Sequence, residues 1–321
     1  MWEEAEVIAI FLADIHLSLT PPVWRSAEDD WLEAQSRPLG EVKELQRKYK
    51  CPVICAGDIF DRNKKISDGW NAPPELINYA IQYLPDDMYA IPGQHDLPNH
   101  QYIDVHRSAY WTLVEAGKII NIPPSDTNGI VVNDCVLFGF PPGHGVKSIL
   151  KIEEERSKII IAVVHDYVWI TGHSYPTAPE EKKLGKDSCI SNREWLGYNV
   201  VVYGDNHKGF SHRIGSTDIF NCGTLMRRKS DEIDYKPQVG LLLEFGKVVP
   251  YQLDISEDKC ITKAEEQVKS EIATLNMEEF FDDLEKLGKT FLDFTDAAKE
   301  FLHSHKVSNE AKQILFDAME K

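Results

Sequence analysis

Short apolar runs alternate with stretches of helical spacing through the first third of the chain. Val7–Leu12, Pro52–Ala56 and Met88–Ile91 are brief, aliphatic and flanked by polar positions, which predicts strands buried on both faces. Between them, residues 40–50 and 73–84 carry apolar positions three and four apart, which predicts two helices and so a βαβαβ start. The second half has a different rhythm. Ile130–Asn133 and Cys135–Phe140 flank Asp134 closely enough for a hairpin, while Ile159–Val164 and Val200–Tyr203 each lead into a histidine-bearing segment. Ile214–Asn221, Val239–Phe245 and Val248–Leu253 read as antiparallel strands, the last two joined by Gly246-Lys247, and together these predict a second sheet packed on the first. From about Asp254 onward the spacing is helical, with Phe301, Leu302, Leu315 and Phe316 on an apolar stripe that serves either as core or as a docking face.

A chain of 321 residues with 42% apolar content can bury a full α/β core and a small additional unit. No apolar stretch has the length of a membrane span, and the run at Ile8–Leu12 is preceded by Glu3, Glu4 and Glu6, not by a basic leader, so an intracellular, cytoplasmic protein is expected, in the host cytoplasm if the source is viral. The six cysteines form no C-x-x-C pair and several lie within strand-like runs, which predicts reduced core thiols. The net charge of −17 opposes unaided binding to nucleic acid, where Lys and Arg contacts to phosphate dominate affinity. About half of that surplus lies in residues 251–321.

Five polar clusters each follow an apolar run: Asp14-Ile15-His16, Gly57 to Arg62, Gly93-Gln94-His95-Asp96, His165-Asp166 and Gly204-Asp205-Asn206-His207. Taken singly each has an ordinary explanation, since Gly-Asp often turns a chain or caps a helix and histidine has many structural roles. Taken together they gather carboxylates, imidazoles and one amide at strand ends, the mixed oxygen and nitrogen donors that divalent cations take. Ligands in open α/β sheets bind beyond the carboxyl ends of the strands, where these clusters fall.

The ordered set resembles the calcineurin-like metallophosphoesterase superfamily, whose motifs run D-x-H, G-D-x-x-D, G-N-H-D/E, a histidine, then G-H-x-H. The resemblance spans roughly residues 7–245 and departs from the pattern at two positions: Gln94 stands in place of an asparagine and Asp205 in place of a histidine. Both still offer an oxygen to a cation. The resemblance implies an α/β fold, a two-sheet αββα sandwich over residues 1–253, with a C-terminal helical extension over 254–321. It implies that Asp14, His16 and His207 hold one metal, that Asp58 bridges, and that His165, Gln94 and Asp205 complete the second. His95 would protonate or stabilise the leaving oxygen, Asp61 would orient His95, and Arg62 would hold a phosphate oxygen. The cofactors implied are two divalent ions, Mn2+ first, with Mg2+, Fe2+ or Zn2+ as alternatives, activating a hydroxide for in-line attack on phosphorus.

Three functions remain open on this reading. The Gly93–Asp96 segment, the long loop after His16, the chain length and the helical tail together resemble SbcD-type DNA repair and recombination nucleases, including the shorter forms found in phages. That resemblance implies DNA as substrate, an SbcC-like coiled-coil ATPase as partner through the C-terminal helices, and a homodimer, with no membrane involvement. A phosphodiesterase or phosphatase for a cyclic or dinucleotide is the alternative, since it needs no basic groove. A metal-binding scaffold that has lost turnover through Gln94 and Asp205 is the third. Trp24 and Arg25, in the proline-containing loop after the first cluster, are candidates for stacking on a base, and Arg227 and Arg228 for meeting substrate phosphates.

Overall fold

The structure, a computed structural model, describes residues 5–61, 72–125, 127–149, 158–185 and 197–265. Two compact units emerge: the larger takes in Met1–Thr20, Asp30–Arg227 and Asp234–Glu257, the smaller Pro21–Asp29, Arg228–Ile233 and Asp258–Lys321.

The larger unit is built on two mixed six-stranded sheets, the α/β sandwich that the family resemblance implies. The first sheet starts from β1 (Val7–Leu12), β2 (Val53–Cys55), β3 (Met88–Ala90) and β4 (Ile119–Asn121), all parallel. The second takes β5 (Ile130–Val132), β6 (Cys135–Phe140), β7 (Ile159–His165), β8 (Val200–Gly204), β9 (Phe210–Ile214) and β10 (Thr217–Asn221), in the order β5-β6-β7-β8-β10-β9. Its central strands β6, β7, β8 and β10 run parallel, so β7 and β8 deliver their carboxyl ends to one edge.

The hairpin of β11 (Gln238–Leu243) and β12 (Val248–Gln252) forms as the Gly246 turn predicts, but it does not join the second sheet. β11 pairs antiparallel with β1 and completes the first sheet in the order β12-β11-β1-β2-β3-β4. Local alternation sets which residues face a core; it carries no information on which of two apolar edges a strand finds.

Period-two alternation divides the buried residues cleanly. Phe11, Ile54, Ile91, Leu137, Ile161, Val163, Val202 and Phe220 fill the layer between the sheets. Ile10, Leu12, Val53 and Met88 face the opposite way, onto α1 (Trp31–Tyr49), α2 (Pro74–Tyr83) and α3 (Ala109–Glu115). On the outer face of the second sheet, Phe138, Val164, Val201 and Ile219 pack, among the described residues, with Ile149, Val168, Leu184 and Tyr198.

Helix α1 begins nine residues ahead of the expected start at 40. Pro38 and Gly40 are poor helix residues, yet the helix runs through both. The Asp30 carboxylate caps it, accepting the Leu32 and Glu33 amides at 2.9 and 3.1 Å, and Trp31, Ala34, Gln35, Pro38, Leu39, Val42 and Leu45 form one buried stripe. Burial of that stripe outweighs one lost backbone hydrogen bond.

In the smaller unit Arg25 is buried and paired with Glu28 and, at 2.8 Å, with Asp258. Trp24 is buried too, so neither is presented to a base and the stacking expectation for them is withdrawn. Thr262 and Glu265 close a capping box, with the Thr262 hydroxyl accepting the Glu265 amide at 3.2 Å and the Glu265 carboxylate accepting the Thr262 amide at 2.7 Å. Helix follows at once from Lys263. The expected stripe with Phe301, Leu302, Leu315 and Phe316 lies outside the described residues, as does Cys189; Cys51, Cys55, Cys135 and Cys222 are buried free thiols. Among the described residues no helix is long and apolar enough to cross a membrane.

Candidate metal centre

All but one of the expected site residues are described, and they meet at the carboxyl ends of β1, β2, β3, β7 and β8; Arg62 lies outside the described residues. Three donor groups overlap. Asp14, His16 and His207 offer ligand atoms within 4.8 Å of one another, as do His16, Asp58 and His95, and again Asp14, Asp58 and His165. The sharing of Asp14, His16 and Asp58 among the groups makes one continuous centre.

The Nε2 atoms of His16 and His207 face each other at 3.1 Å. The Asp58 Oδ2 lies 3.5 Å from His165 Nε2, 3.8 Å from His16 Nε2 and 4.0 Å from His95 Nε2. Its other oxygen accepts the His95 amide at 2.8 Å, which leaves Oδ2 without a hydrogen-bond partner although Asp58 is buried. His165 is oriented by Nδ1, which donates to the Ala56 carbonyl at 2.6 Å because a carbonyl can only accept; its buried Nε2 also lacks a hydrogen bond. Such an arrangement is costly for protein alone and is what a cation relieves. The donor set therefore fits divalent metal, with nitrogen and oxygen ligands in a buried pocket.

Gln94 and Asp205, the two departures from the motif pattern, are placed against each other. The Gln94 side-chain amide donates to Asp205 Oδ1, and the Asp205 backbone amide spans both Asp14 carboxylate oxygens at 3.1 Å each. Asp61 sits between two imidazoles, 3.7 Å from His95 Nδ1 and 3.8 Å from His16 Nδ1.

Backbone conformation at the site is unusual. Asp14, His16, Asp58 and Asp205 all have positive φ, at 50°, 51°, 55° and 83°. Each such residue costs on the order of 1–3 kcal/mol, sustained only where the surroundings over-determine it. The bracing is visible in groups to which the motif reading gave no role. Asp96 is buried and accepts the amides of Ile59, Phe60 and Gly93 at 3.1, 3.0 and 2.9 Å, tying the loop after β2 to the loop after β3. Leu225 donates its amide, and Thr224 its hydroxyl, to the Asp14 carbonyl at 3.2 Å, and the Thr224 amide reaches the His207 carbonyl at 3.1 Å. Asn221 holds the carbonyls of Asn206 and Lys208 at 2.7 and 3.1 Å. The only sequence signal for these groups was position: Asp96 directly follows His95, and Asn206 separates Asp205 from His207.

Protonation follows the crowding of charge. Burial, partly offset by His207 and His165, raises Asp14 to about 7, and burial together with the charge of Asp58 raises Asp96 to about 7. Burial also disfavours a charged Asp58 and a charged His165, but their mutual attraction prevails, holding Asp58 below and His165 well above its ordinary value. Asp14, Asp96 and His165 thus bind protons more tightly folded than unfolded, and their contribution to stability is lost as pH rises through the folded values; Asp58 acts oppositely, at acid pH. The metal-free protein is therefore expected to melt at lower temperature at about pH 8 than at about pH 5. Saturating Mn2+ should flatten that slope and release protons on binding, which calorimetry in buffers of different ionisation enthalpy measures. A metal-free melting temperature that climbs over this range would contradict the assignment.

The sequence profile of the calcineurin-like phosphoesterases matches residues 9–209, well over half of the chain and every cluster in the centre. The chain belongs to that family. Calcineurin-like phosphoesterases are hydrolases of phosphoesters that work through a dinuclear metal centre, and the Asp and His groups here are suited to hold one. Solved structures to which the chain is similar include an archaeal phosphodiesterase, 13% identical over 76% of this chain and 99% of its own, with a TM-score of 0.37. The phosphoesterase Yfce from E. coli is 13% identical over 79% and 96%, with a TM-score of 0.34. The calcineurin-like phosphoesterase YfkN from Bacillus subtilis is 12% identical over 81% and 88%, with a TM-score of 0.41. No curated protein matches the chain.

Proposed function

We propose that this calcineurin-like phosphoesterase is a phosphodiester hydrolase in which Asp14, His16 and His207 hold one divalent cation, Asp58 bridges, and His165 with the Gln94–Asp205 pair serves the other. The observation that carries the proposal is the overlap of three donor groups through Asp14, His16 and Asp58. When bound, the cations supply charge neutralisation at the phosphoryl oxygens and a water acidified enough to attack at neutral pH. Mn2+ is the cation proposed. Asp58 keeps one oxygen on the His95 amide, which fixes the carboxylate relative to the loop that carries the imidazole. His95 is part-exposed, as His207 is, and has Asp61 on its Nδ1 side; to it falls the protonation of the leaving oxygen. Gln94 restrains Asp205, which in turn braces Asp14 through its amide.

The substrate we favour is DNA, cleaved as an SbcD-type nuclease. In that form the helical extension, 254–321, docks an SbcC-like coiled-coil ATPase that supplies the basic surface a chain of net charge −17 lacks. The same negative charge favours the second reading, a phosphodiesterase for a cyclic or dinucleotide, which needs no such surface. Mn2+-loaded protein assayed on a bis-aryl phosphodiester, on single- and double-stranded DNA and on a cyclic dinucleotide tests the proposal. No turnover of any of them refutes phosphodiester hydrolysis, and a cyclic dinucleotide turned over far faster than DNA, with no partner recoverable, replaces the nuclease by the small-substrate enzyme. His95→Ala is expected to retain most of its metal while kcat falls about 100- to 10,000-fold. A variant as active as the parent would remove His95 from the mechanism.

A further inference from the structure

The segment after β7 is bound to the metal-ligand loop in a way that metal ligation alone does not require. Asn206, between Asp205 and His207, turns its side chain away from the centre and donates from Nδ2 to the carbonyls of Val168 and His173 at 2.8 and 2.9 Å. That clamp holds two tyrosines beside the centre. Tyr167, two residues beyond His165, and Tyr175 stack with centroids 6.0 Å apart and planes 24° apart, and the Tyr175 amide donates to the Tyr167 hydroxyl at 3.2 Å. Lys208, the residue after His207, lies 5.5 Å over the Tyr175 ring and donates to the Ser174 carbonyl at 3.1 Å. All three side chains are half-buried, and Tyr167 is close enough to Asp205 to feel its carboxylate.

We infer that Tyr167, Tyr175 and Lys208 form a subsite for a nucleobase, adjoining the phosphoester held at the metal centre. A planar base extends a tyrosine stack irrespective of its identity, and an ammonium held over the ring meets a neighbouring phosphate or a base carbonyl. Rigidity fits this use, because a wall already fixed by Asn206 loses little freedom when it binds. The inference rests on the phosphodiester reading above and deepens it by naming what lies beside the scissile phosphate.

Calorimetric titration of the full-length, Mn2+-loaded protein with thymidine 5′-monophosphate and with inorganic phosphate tests the subsite without relying on turnover. The parent is expected to prefer the nucleotide by about 5- to 100-fold, the range that base–aromatic stacking supplies. Tyr167→Leu and Tyr175→Leu should bring that preference towards one, and Tyr175→Phe should keep it. Melting temperatures near that of the parent exclude simple unfolding of the loop. A parent that binds both ligands equally, or folded leucine variants that keep the preference, overturns the subsite. Failure of phosphate itself to bind metal-loaded parent strikes instead at the hydrolase reading, and the two failures are thereby distinct. Short oligothymidylate separates the sources of the base: binding tighter than the mononucleotide marks a strand, equal binding marks a free nucleotide, and either supports the subsite.

Discussion

Asp58→Asn is expected to lower phosphodiester hydrolysis by about 1,000-fold or more, with loss of both cations rather than one. In the bridging role proposed for it Asp58 would hold the cations that supply several kcal/mol of charge stabilisation, and each 1.4 kcal/mol is about tenfold in rate. An amide retains the oxygen that accepts the His95 amide, and its NH2 group faces the His165 Nε2 that lacks a hydrogen bond. The metal-free variant nonetheless gives up the attraction between the buried Asp58 carboxylate and His165, and is expected to melt lower than the metal-free parent. Elemental analysis, a diester assay and a thermal scan on the same preparation separate these effects. Full metal content with intact turnover would show that Asp58 is not shared between the two sites.

The second large effect is expected at a residue with no chemistry of its own. A Cβ at Gly93 would overlap the Asp58 carboxylate and the Asp58 amide nitrogen, and backbone cannot give way as a flexible side chain does. Gly93→Ala should cost about 3 kcal/mol, the upper range for forced overpacking, and lower the melting temperature by roughly 5–10 °C. It should also displace Asp58 and so deplete metal. Gly40 in α1 is the matched control, because a Cβ there meets nothing within 4 Å. Gly40→Ala should stabilise by about 0.5–1 kcal/mol through helix propensity. If the two substitutions have similar effects on melting, close approach at Gly93 is not what holds the site.

The parts of this architecture that depend on local alternation were legible in the sequence. β1 lies at the expected Val7–Leu12, and β2, β3, β7 and β8 come within a residue or two of the predicted runs, because each is a short apolar stretch bounded by the polar cluster it presents. The gathering of Asp14, His16, Asp58, His95, His165 and His207 at strand ends was legible for the same reason. What escaped was either too short or non-local. β4 and α3 are brief, and nothing in their composition sets them apart from loop. β9 alternates exposed polar residues, Ser211 and Arg213, with buried or half-buried positions that include His212, which weakens its apolar signal. The return of β11 to β1 is a choice between edges made by tertiary packing. The bracing groups Asp96, Asn206, Asn221 and Thr224 act through backbone contacts between loops, and residue type alone does not reveal such contacts.

β1 has a consequence for how the chain comes into being. It is synthesised ahead of the other strands of the sandwich and carries Asp14 and His16 just beyond its end, yet one of its two neighbours, β11, is among the last parts of the sandwich to be made. Until Gln238–Leu243 arrives, the Val7–Leu12 ladder has an open flank of unpaired amides and carbonyls on a strand that is apolar on both faces. Pairing so distant in sequence is slow to close, and an exposed apolar edge invites association with other nascent chains. The sandwich is thus expected to complete itself only after synthesis has passed residue 243, and chains interrupted earlier should partition into aggregates while holding nearly all of the cation-binding side chains.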